Sequence, residues 1–170
     1  MKKNISIIVG GSGQLGISLS KLLLNKNQDV VITTRNIISS KKKIPFKHNR
    51  LKLFKLNVLK KKQISLLLKK FNPDYIFYFA GQSSPNLSFN KKETTHLSNV
   101  IGCKNFLEIL HNHNFKTKFI NASSSEIFSE TSKKIKIKSK KKPISPYGKA
   151  KLDSFNITKF YREKKKFEII

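Results

Sequence analysis

The apolar run Ile5 to Val9 leads straight into Gly10-Gly11-Ser12-Gly13-Gln14-Leu15-Gly16, and a segment with leucine at helical spacing, Gln14 to Asn25, begins inside that turn. A strand, a glycine turn and a helix in this order constrain the fold more than any other stretch of the chain. Gly10 permits the tight turn, Gly13 lets backbone approach a pyrophosphate, and Gly16 lets the helix lie close to the sheet. The helix start offers unpaired N–H groups and a favourable dipole to an anion. The competing phosphate loop ends in Gly-Lys-Ser/Thr, which is absent here. A turn with purely structural glycines is the plainer alternative.

Further strand-like runs lie at Val30 to Thr34, Leu51 to Val58, Tyr75 to Ala80 and Lys118 to Ala122. They alternate with amphipathic segments at Lys60 to Phe71 and Lys92 to His113, and a last helix is expected from Pro146 to Lys164, with proline in its first turn. Strand and helix in alternation predict an α/β fold, a doubly wound parallel sheet with helices on both faces. Right-handed crossovers give the Rossmann-like order 3-2-1-4-5. Ile37 to Arg50 and Thr131 to Pro143 read as exposed basic loops, with a short edge strand at Lys134 to Lys138 as an alternative for the second.

A chain of 170 residues is expected to make one domain, here residues 1–170. Its 13 phenylalanines and 38% hydrophobic residues supply an ordinary core. The lone cysteine, Cys103, has no disulfide partner and is read as packing, and no cysteine and histidine spacing fits a zinc site. His111 and His113, two apart on a helix, diverge, so no metal is expected. The apolar run after Met1-Lys2-Lys3 is too short for a signal peptide, and no stretch approaches the roughly 20 residues of a membrane span. These features fit the cytoplasm.

The net charge of +27 raises nucleic acid as a partner. Of 36 basic side chains, however, only Arg35, Arg50 and Arg162 are arginines, and no nucleic-acid-binding signature accompanies them. A general lysine bias of solvated faces is preferred.

Two more stretches carry chemistry: Ser123-Ser124-Ser125-Glu126 after the fifth strand, and Tyr147 with Lys151 one helical turn on. The tyrosine and lysine pair alone is weak, since Tyr161 also has Lys165 four residues later. Order and context give it weight. After the second strand the chain reads Thr33-Thr34-Arg35-Asn36, with no carboxylate for a ribose 2′-hydroxyl. Arg35 suits a 2′-phosphate instead, favouring NADP with NAD as the alternative. A solvent-facing arginine is the bland reading.

Gly10 to Gly16, Tyr78-Phe79-Ala80-Gly81-Gln82-Ser83, Ser123 to Glu126 and Ser145-Pro146-Tyr147-Gly148-Lys149-Ala150-Lys151 resemble the extended short-chain dehydrogenase/reductases, with all motifs in family order. Ala80 to Ser83, Ser88-Phe89, the Ser-Ser-Ser-Glu run and Pro143 to Tyr147 are most similar to the GDP-mannose 4,6-dehydratases. Three positions depart from that pattern. Asn57 stands where an adenine-binding Asp is usual, Leu15 where Asp is usual, and Ser84-Pro85 replace His-Val.

The resemblance implies NADP-dependent oxidation of a sugar nucleotide at C4, loss of water and reduction at C6, with GDP-mannose as the substrate. It implies Tyr147 as base on the C4 hydroxyl and Lys151 as the ammonium that favours its phenolate, a free tyrosine having a pKa of about 10. Ser124 is implied as the C4-oxygen donor, and Glu126 as the group that removes the C5 proton and helps expel the C6 hydroxyl. Glu126 has a plainer reading as a cap or local ion pair. The cofactor-binding set is Gly10, Gly13, Gln14, Leu15, Gly16, Arg35, Asn57, Val58, Ala80, Gly81, Tyr147 and Lys151. Asn99 resembles a residue that supports the active-site backbone.

Phe167-Glu168-Ile169-Ile170 reads as the opening of a sixth strand, so the fold is expected to be truncated there. The carboxy-terminal sugar-nucleotide-binding domain of the family is then absent. Alternatives are another sugar-nucleotide epimerase, dehydratase or decarboxylase, a non-catalytic NADP-binding fragment, and a basic nucleic-acid binder. Family likeness also implies a homodimer through Lys92 to His113 and Pro146 to Lys164, or a higher homo-oligomer.

Overall fold

A computed structural model describes residues 4–128, 134–136, 138–165 and 167–170. Five parallel strands form one sheet: β1 (Ile5–Val9), β2 (Asp29–Thr34), β3 (Leu51–Lys55), β4 (Tyr75–Tyr78) and β5 (Lys118–Asn121). Their order is β3-β2-β1-β4-β5, as the alternation predicts. β1 pairs with β2 from Ile5 opposite Asp29 to Val9 opposite Thr33, and with β4 from Ser6 opposite Tyr75 to Val9 opposite Tyr78. The chain leaves β1 in one direction and returns on its other side at β4. Crevices at the carboxyl ends of strands where order reverses in this way are the ligand sites of open α/β sheets.

Both faces of the sheet are covered. Ile8, Val30 and Ile32 pack with Leu23 and Leu24 of α1 (Gln14–Asn25) on one side. On the other, Ile7, Val9, Val31, Ile76, Tyr78 and Phe119 meet Ile64, Leu67 and Leu68 of α3 (Lys61–Phe71) and Cys103, Phe106, Leu107 and Leu110 further along the chain. Alternate residues of β1 thus enter different cores, as a two-sided buried strand requires.

Several expectations are corrected. The segment read as a loop from Ile37 to Arg50 opens with a helix, α2 (Ile37–Lys43), started by Asn36, whose Oδ1 accepts from the N–H of Ser39 at 3.0 Å. β3 stops at Lys55, short of Val58, and β4 at Tyr78, short of Ala80. An additional short helix, α4 (Pro85–Asn90), begins after Ser84, whose Oγ accepts from Leu87 N–H at 3.3 Å.

The helix expected from Lys92 to His113 is three pieces: α5 (Lys92–His96), a π-helical turn at Leu97–Ile101, and α6 (Gly102–Asn112). Lys134 to Lys136 form no strand, and residue 137 lies outside the described residues. α7 (Pro146–Lys164) has the expected bounds. Beyond it Ile169 bridges Phe119 in parallel, where Phe119 N–H donates to Glu168 O at 3.0 Å and Ile170 N–H to Phe119 O at 3.0 Å. That is one isolated bridge, not a strand, at the place where a sixth strand is expected, and the sheet has five strands. No helix among the described residues is long and apolar enough to cross a membrane.

Candidate active site

The carboxyl ends of β1 and β4 meet at Gly10 and Ala80. Gly10 has φ +78°, and a Cβ there would lie 2.7 Å from Ala80 Cα. Gly16 packs on the backbone of Gly11 so closely that a Cβ would overlap it. Gly13 is different, because its Cβ position meets only Gly10 O, at 3.6 Å. Two glycines therefore close the loop against the protein and the middle one leaves space. α1 starts at Gly13 without a side-chain cap, so its first N–H groups keep their capacity for an external acceptor. An open Gly13 beside uncapped helix amides fits a dinucleotide pyrophosphate. Gln14 and Leu15 stand exposed on the rim.

Arg35 is exposed immediately after β2, beside Asn36 at the start of α2. Asn57 is partly committed elsewhere: its Oδ1 accepts from Leu59 N–H at 3.0 Å, which leaves one lone pair of that oxygen. Val58 packs against Gly102, and its carbonyl accepts from Asn105 Nδ2 at 3.1 Å. The Ala80-Gly81-Gln82 loop is fastened by the π turn. Asn99, buried there, donates from Nδ2 to Gln82 O at 3.1 Å and to Thr95 O at 3.0 Å. The buried Tyr78 hydroxyl donates to Ser98 O at 2.6 Å. A π turn widens the helix by one residue and recurs at functional sites. Here it turns Asn99 toward the Ala80-Gly81-Gln82 loop.

Tyr147 and Lys151 lie on one face of α7. Lys151 Nζ is 5.8 Å from the Tyr147 ring centroid and donates to Ala122 O, just past β5, at 2.9 Å. Burial holds the Lys151 pKa below the usual lysine value, against a smaller opposing effect of Cys103. Tyr147 is buried, whereas Tyr161, the other tyrosine with a lysine four residues on, stacks edge-on against His111.

Ser124 starts a short 3-10 turn, Ser125–Ile127, and its Oγ accepts from Glu126 N–H at 3.2 Å. Glu126 is half-buried, and among the described residues its carboxylate makes no ion pair. The turn reaches α7 through Gly148, where a Cβ would overlap Glu126 O. Tyr147 and Glu126 are thereby held on adjoining backbone.

Three further residues support the site. Ser88 of α4 accepts from Tyr147 N–H at 3.0 Å. Ser145 caps α7 through Gly148 N–H at 3.0 Å. Gly148 lets the Glu126 turn approach. Only Ser145, followed by proline, carries a local signal, that of a helix start.

A family model described as GDP-mannose 4,6 dehydratase matches residues 7–170. The chain belongs to the GDP-mannose 4,6-dehydratase family. Among curated members, the GDP-mannose 4,6-dehydratase of Vibrio cholerae serotype O1 is 29% identical over 177 residues, covering 96% of this chain and 47% of that protein. GDP-mannose 4,6 dehydratase 2 of Caenorhabditis elegans is 29% identical, over 95% of this chain and 46% of its own length. This family member therefore spans about half the length of the curated relatives it matches. Its fold superposes on UDP-glucose 4-epimerase from Brucella ovis, solved in complex with NAD, with a TM-score of 0.87 at 20% identity, covering 98% of this chain and 50% of the other. The UDP-glucose 4-epimerase of Thermus thermophilus, also with NAD, gives 0.87 at 19% identity, over 97% and 53% of the two chains. These last two likenesses concern the Rossmann-like fold.

Proposed function

We propose that this chain is the nicotinamide-binding half of a sugar-nucleotide 4,6-dehydratase acting on GDP-mannose, and that turnover requires the other half. The observation that carries the proposal is the Lys151 to Ala122 hydrogen bond. It joins the helix bearing Tyr147 to the strand end bearing Ser124 and Glu126, beside the Gly10 and Ala80 crevice.

Gly10, Gly13, Gln14, Leu15 and Gly16 would hold the pyrophosphate, Arg35 the 2′-phosphate of NADP, Asn57 and Val58 the adenine side, and Ala80, Gly81, Tyr147 and Lys151 the nicotinamide side. A bound nicotinamide would supply reversible hydride acceptance.

The side chains supply the proton transfers. Tyr147 takes the proton of the sugar C4 hydroxyl as that carbon becomes a ketone, with the Lys151 ammonium favouring the phenolate. Ser124 donates a hydrogen bond to the C4 oxygen. The ketone acidifies C5–H, Glu126 removes that proton, and the same carboxyl then protonates the departing C6 hydroxyl as water. One carboxylate thereby acts first as base and then as acid, and regains its starting state. Another epimerase-type reaction at C4 uses Tyr147, Lys151 and Ser124 alone, so Glu126 is the residue that favours elimination. Pairing of α5, α6 and α7 with those of a second copy belongs to the same proposal.

The test is to incubate the 170-residue protein with NADP and GDP-mannose and follow the sugar nucleotide by mass, with NADP binding measured in parallel. A loss of about 18 Da, the mass of water, supports the dehydratase and shows that this half suffices. Binding of NADP without product supports a cofactor module that needs its second half. Absence of both binding and product overturns the proposal.

A further inference from the structure

Lys151 reaches the Ala122 carbonyl where the end of β5 is tied to α7 a second time. Asn121, the residue before Ala122, donates from Nδ2 to Ser154 Oγ at 2.8 Å. Ser154 stands three residues beyond Lys151, on the same face of the helix. It is 2% exposed, and Cys103 beneath it is fully buried. Ser154 also acts to lower the Cys103 thiol pKa, more weakly than burial raises it. Two adjacent residues of the strand end, Asn121 and Ala122, thus engage two residues one helical turn apart on α7.

A lysine ammonium is a compact charge on a flexible four-carbon stem with three rotatable donors, so one fixed acceptor decides where the other two protons point. Tyr147, on the same helix, has its ring centroid 5.8 Å from Lys151 Nζ, and Cys103 of α6 acts electrostatically on Lys151 and on Tyr78 of β4. None of these is a carboxylate, and among the described residues Lys151 has no salt bridge. Burial pushes the Cys103 thiol up to about 12, opposed more weakly by Ser154 and Lys151, so at neutral pH it brings no counter-charge. The orienting partner left to the ammonium is the Ala122 carbonyl dipole, whose direction depends on how the strand end is held.

We propose that Asn121 and Ser154 are positioning residues: their hydrogen bond fixes the Ala122 carbonyl against Lys151 Nζ, so that the ammonium faces Tyr147 and a nicotinamide ribose in one orientation. The ribose rests on the cofactor reading above; the clamp on the lysine does not. A hydrogen bond that only cements helix to sheet would leave the titration of Lys151 unchanged when it is lost.

The experiment uses the full chain with Ser154→Ala, Ser154→Thr and Asn121→Ala. The 13Cε resonance of Lys151, identified by its absence in Lys151→Met, is followed against pH, together with NADP affinity and the urea midpoint. In Ser154→Ala the Lys151 titration moves up toward the ordinary lysine value by about half a unit or more, as water reaches Nζ. NADP affinity falls on the order of tenfold. Ser154→Thr, which keeps the hydroxyl, restores both. Asn121→Ala repeats the shift and decides the matter should Ser154→Ala fail to fold. A lowered urea midpoint with Lys151 titrating as in the wild type overturns the proposal. If the wild type binds no NADP, the cofactor reading fails, and the lysine titration alone still tests the clamp.

Discussion

Ser88 accepts a hydrogen bond from the backbone N–H of Tyr147 at 3.0 Å, across 59 positions of sequence and in a buried setting. The first N–H groups of a helix have no partner within it. At the start of α7, Pro146 has none to satisfy, Ser145 Oγ takes that of Gly148, and Ser88 takes that of Tyr147. The candidate base is therefore anchored through its backbone to the segment that follows β4. Ser88→Ala leaves a buried donor unpaired, and the expected loss of stability is about 1 to 3 kcal/mol. Urea unfolding of the two proteins measures it. Equal midpoints would mean that water or another acceptor replaces the hydroxyl.

Gly10 and Gly13 separate folding from binding. Gly10→Ala forces a side chain onto a φ of +78° with backbone 2.7 Å away at Ala80, and neither side yields cheaply. Its expected cost is about 2 to 4 kcal/mol, and NADP binding goes with it. Gly13→Ala places a methyl where only Gly10 O lies near, at 3.6 Å, so stability should stay within about 1 kcal/mol of wild type. That methyl projects into the space read as the pyrophosphate site. NADP affinity should fall about tenfold or more, measured by calorimetry on a protein that still melts normally. Unaltered affinity in Gly13→Ala would place the phosphates elsewhere.

Arg35 is the residue proposed to decide between the two nicotinamide cofactors. It is exposed after β2, no carboxylate occupies Thr33 to Asn36, and Asn36 is engaged in capping α2. Charge-assisted hydrogen bonds to a phosphate are worth about 1.5 to 3 kcal/mol, so Arg35→Ala should weaken NADP about 10- to 100-fold. NAD, lacking the 2′-phosphate, should bind both proteins alike. Parallel titrations with the two cofactors check this, and an equal loss for both would remove Arg35 from the 2′-phosphate site.

The sheet was legible because its signals are local. β1 is covered on both faces, so every residue from Ile5 to Val9 except Ser6 is apolar, and Gly10, required by Ala80, and Gly16, required by Gly11, stand at the fixed spacing of the turn. Tyr147 and Lys151 were legible for the same reason, being one turn apart on a helix with a proline start. α2 was not, since Ile37 to Lys43 buries only Ser40 and leaves no apolar stripe to recognise. α4 is too short for a periodic pattern, although Ser84-Pro85 is itself a helix start. The π turn at Leu97–Ile101 shifts the helical phase by one residue, a change that apolar spacing does not register, while its cause lies in Tyr78 and Asn99 bonding to distant backbone. Ser88, Asn121 and Ser154 act through partners 33 to 59 residues away, and a lone serine or asparagine carries no trace of that.

Cys103 gives the molecule a distinctive alkaline response. In the folded chain burial raises its thiol to about 12 from an ordinary 9.0. Between those values the unfolded chain loses a proton that the folded chain keeps, so stability is intact below pH 9 and falls as pH rises toward 12. Each unit is worth about 1.4 kcal/mol, and by about pH 10.5 the loss is about 2 kcal/mol. Tyr78, raised by burial and then by Cys103, adds to the fall above about pH 10. Lys151 works the other way. Its pKa is lowered in the folded state, so over the interval up to 10.5 the unfolded chain holds the extra proton and stability rises with pH. Cys103→Ala removes the thiol contribution and leaves the Lys151 gain. The variant starts less stable at about pH 8, having lost a buried side chain, but should lose about 2 kcal/mol less than wild type on going to about pH 10.5. Urea midpoints at the two pH values, under reducing conditions, measure both differences. An identical alkaline loss in the two proteins would show that the buried thiol titrates no differently from one in the unfolded chain.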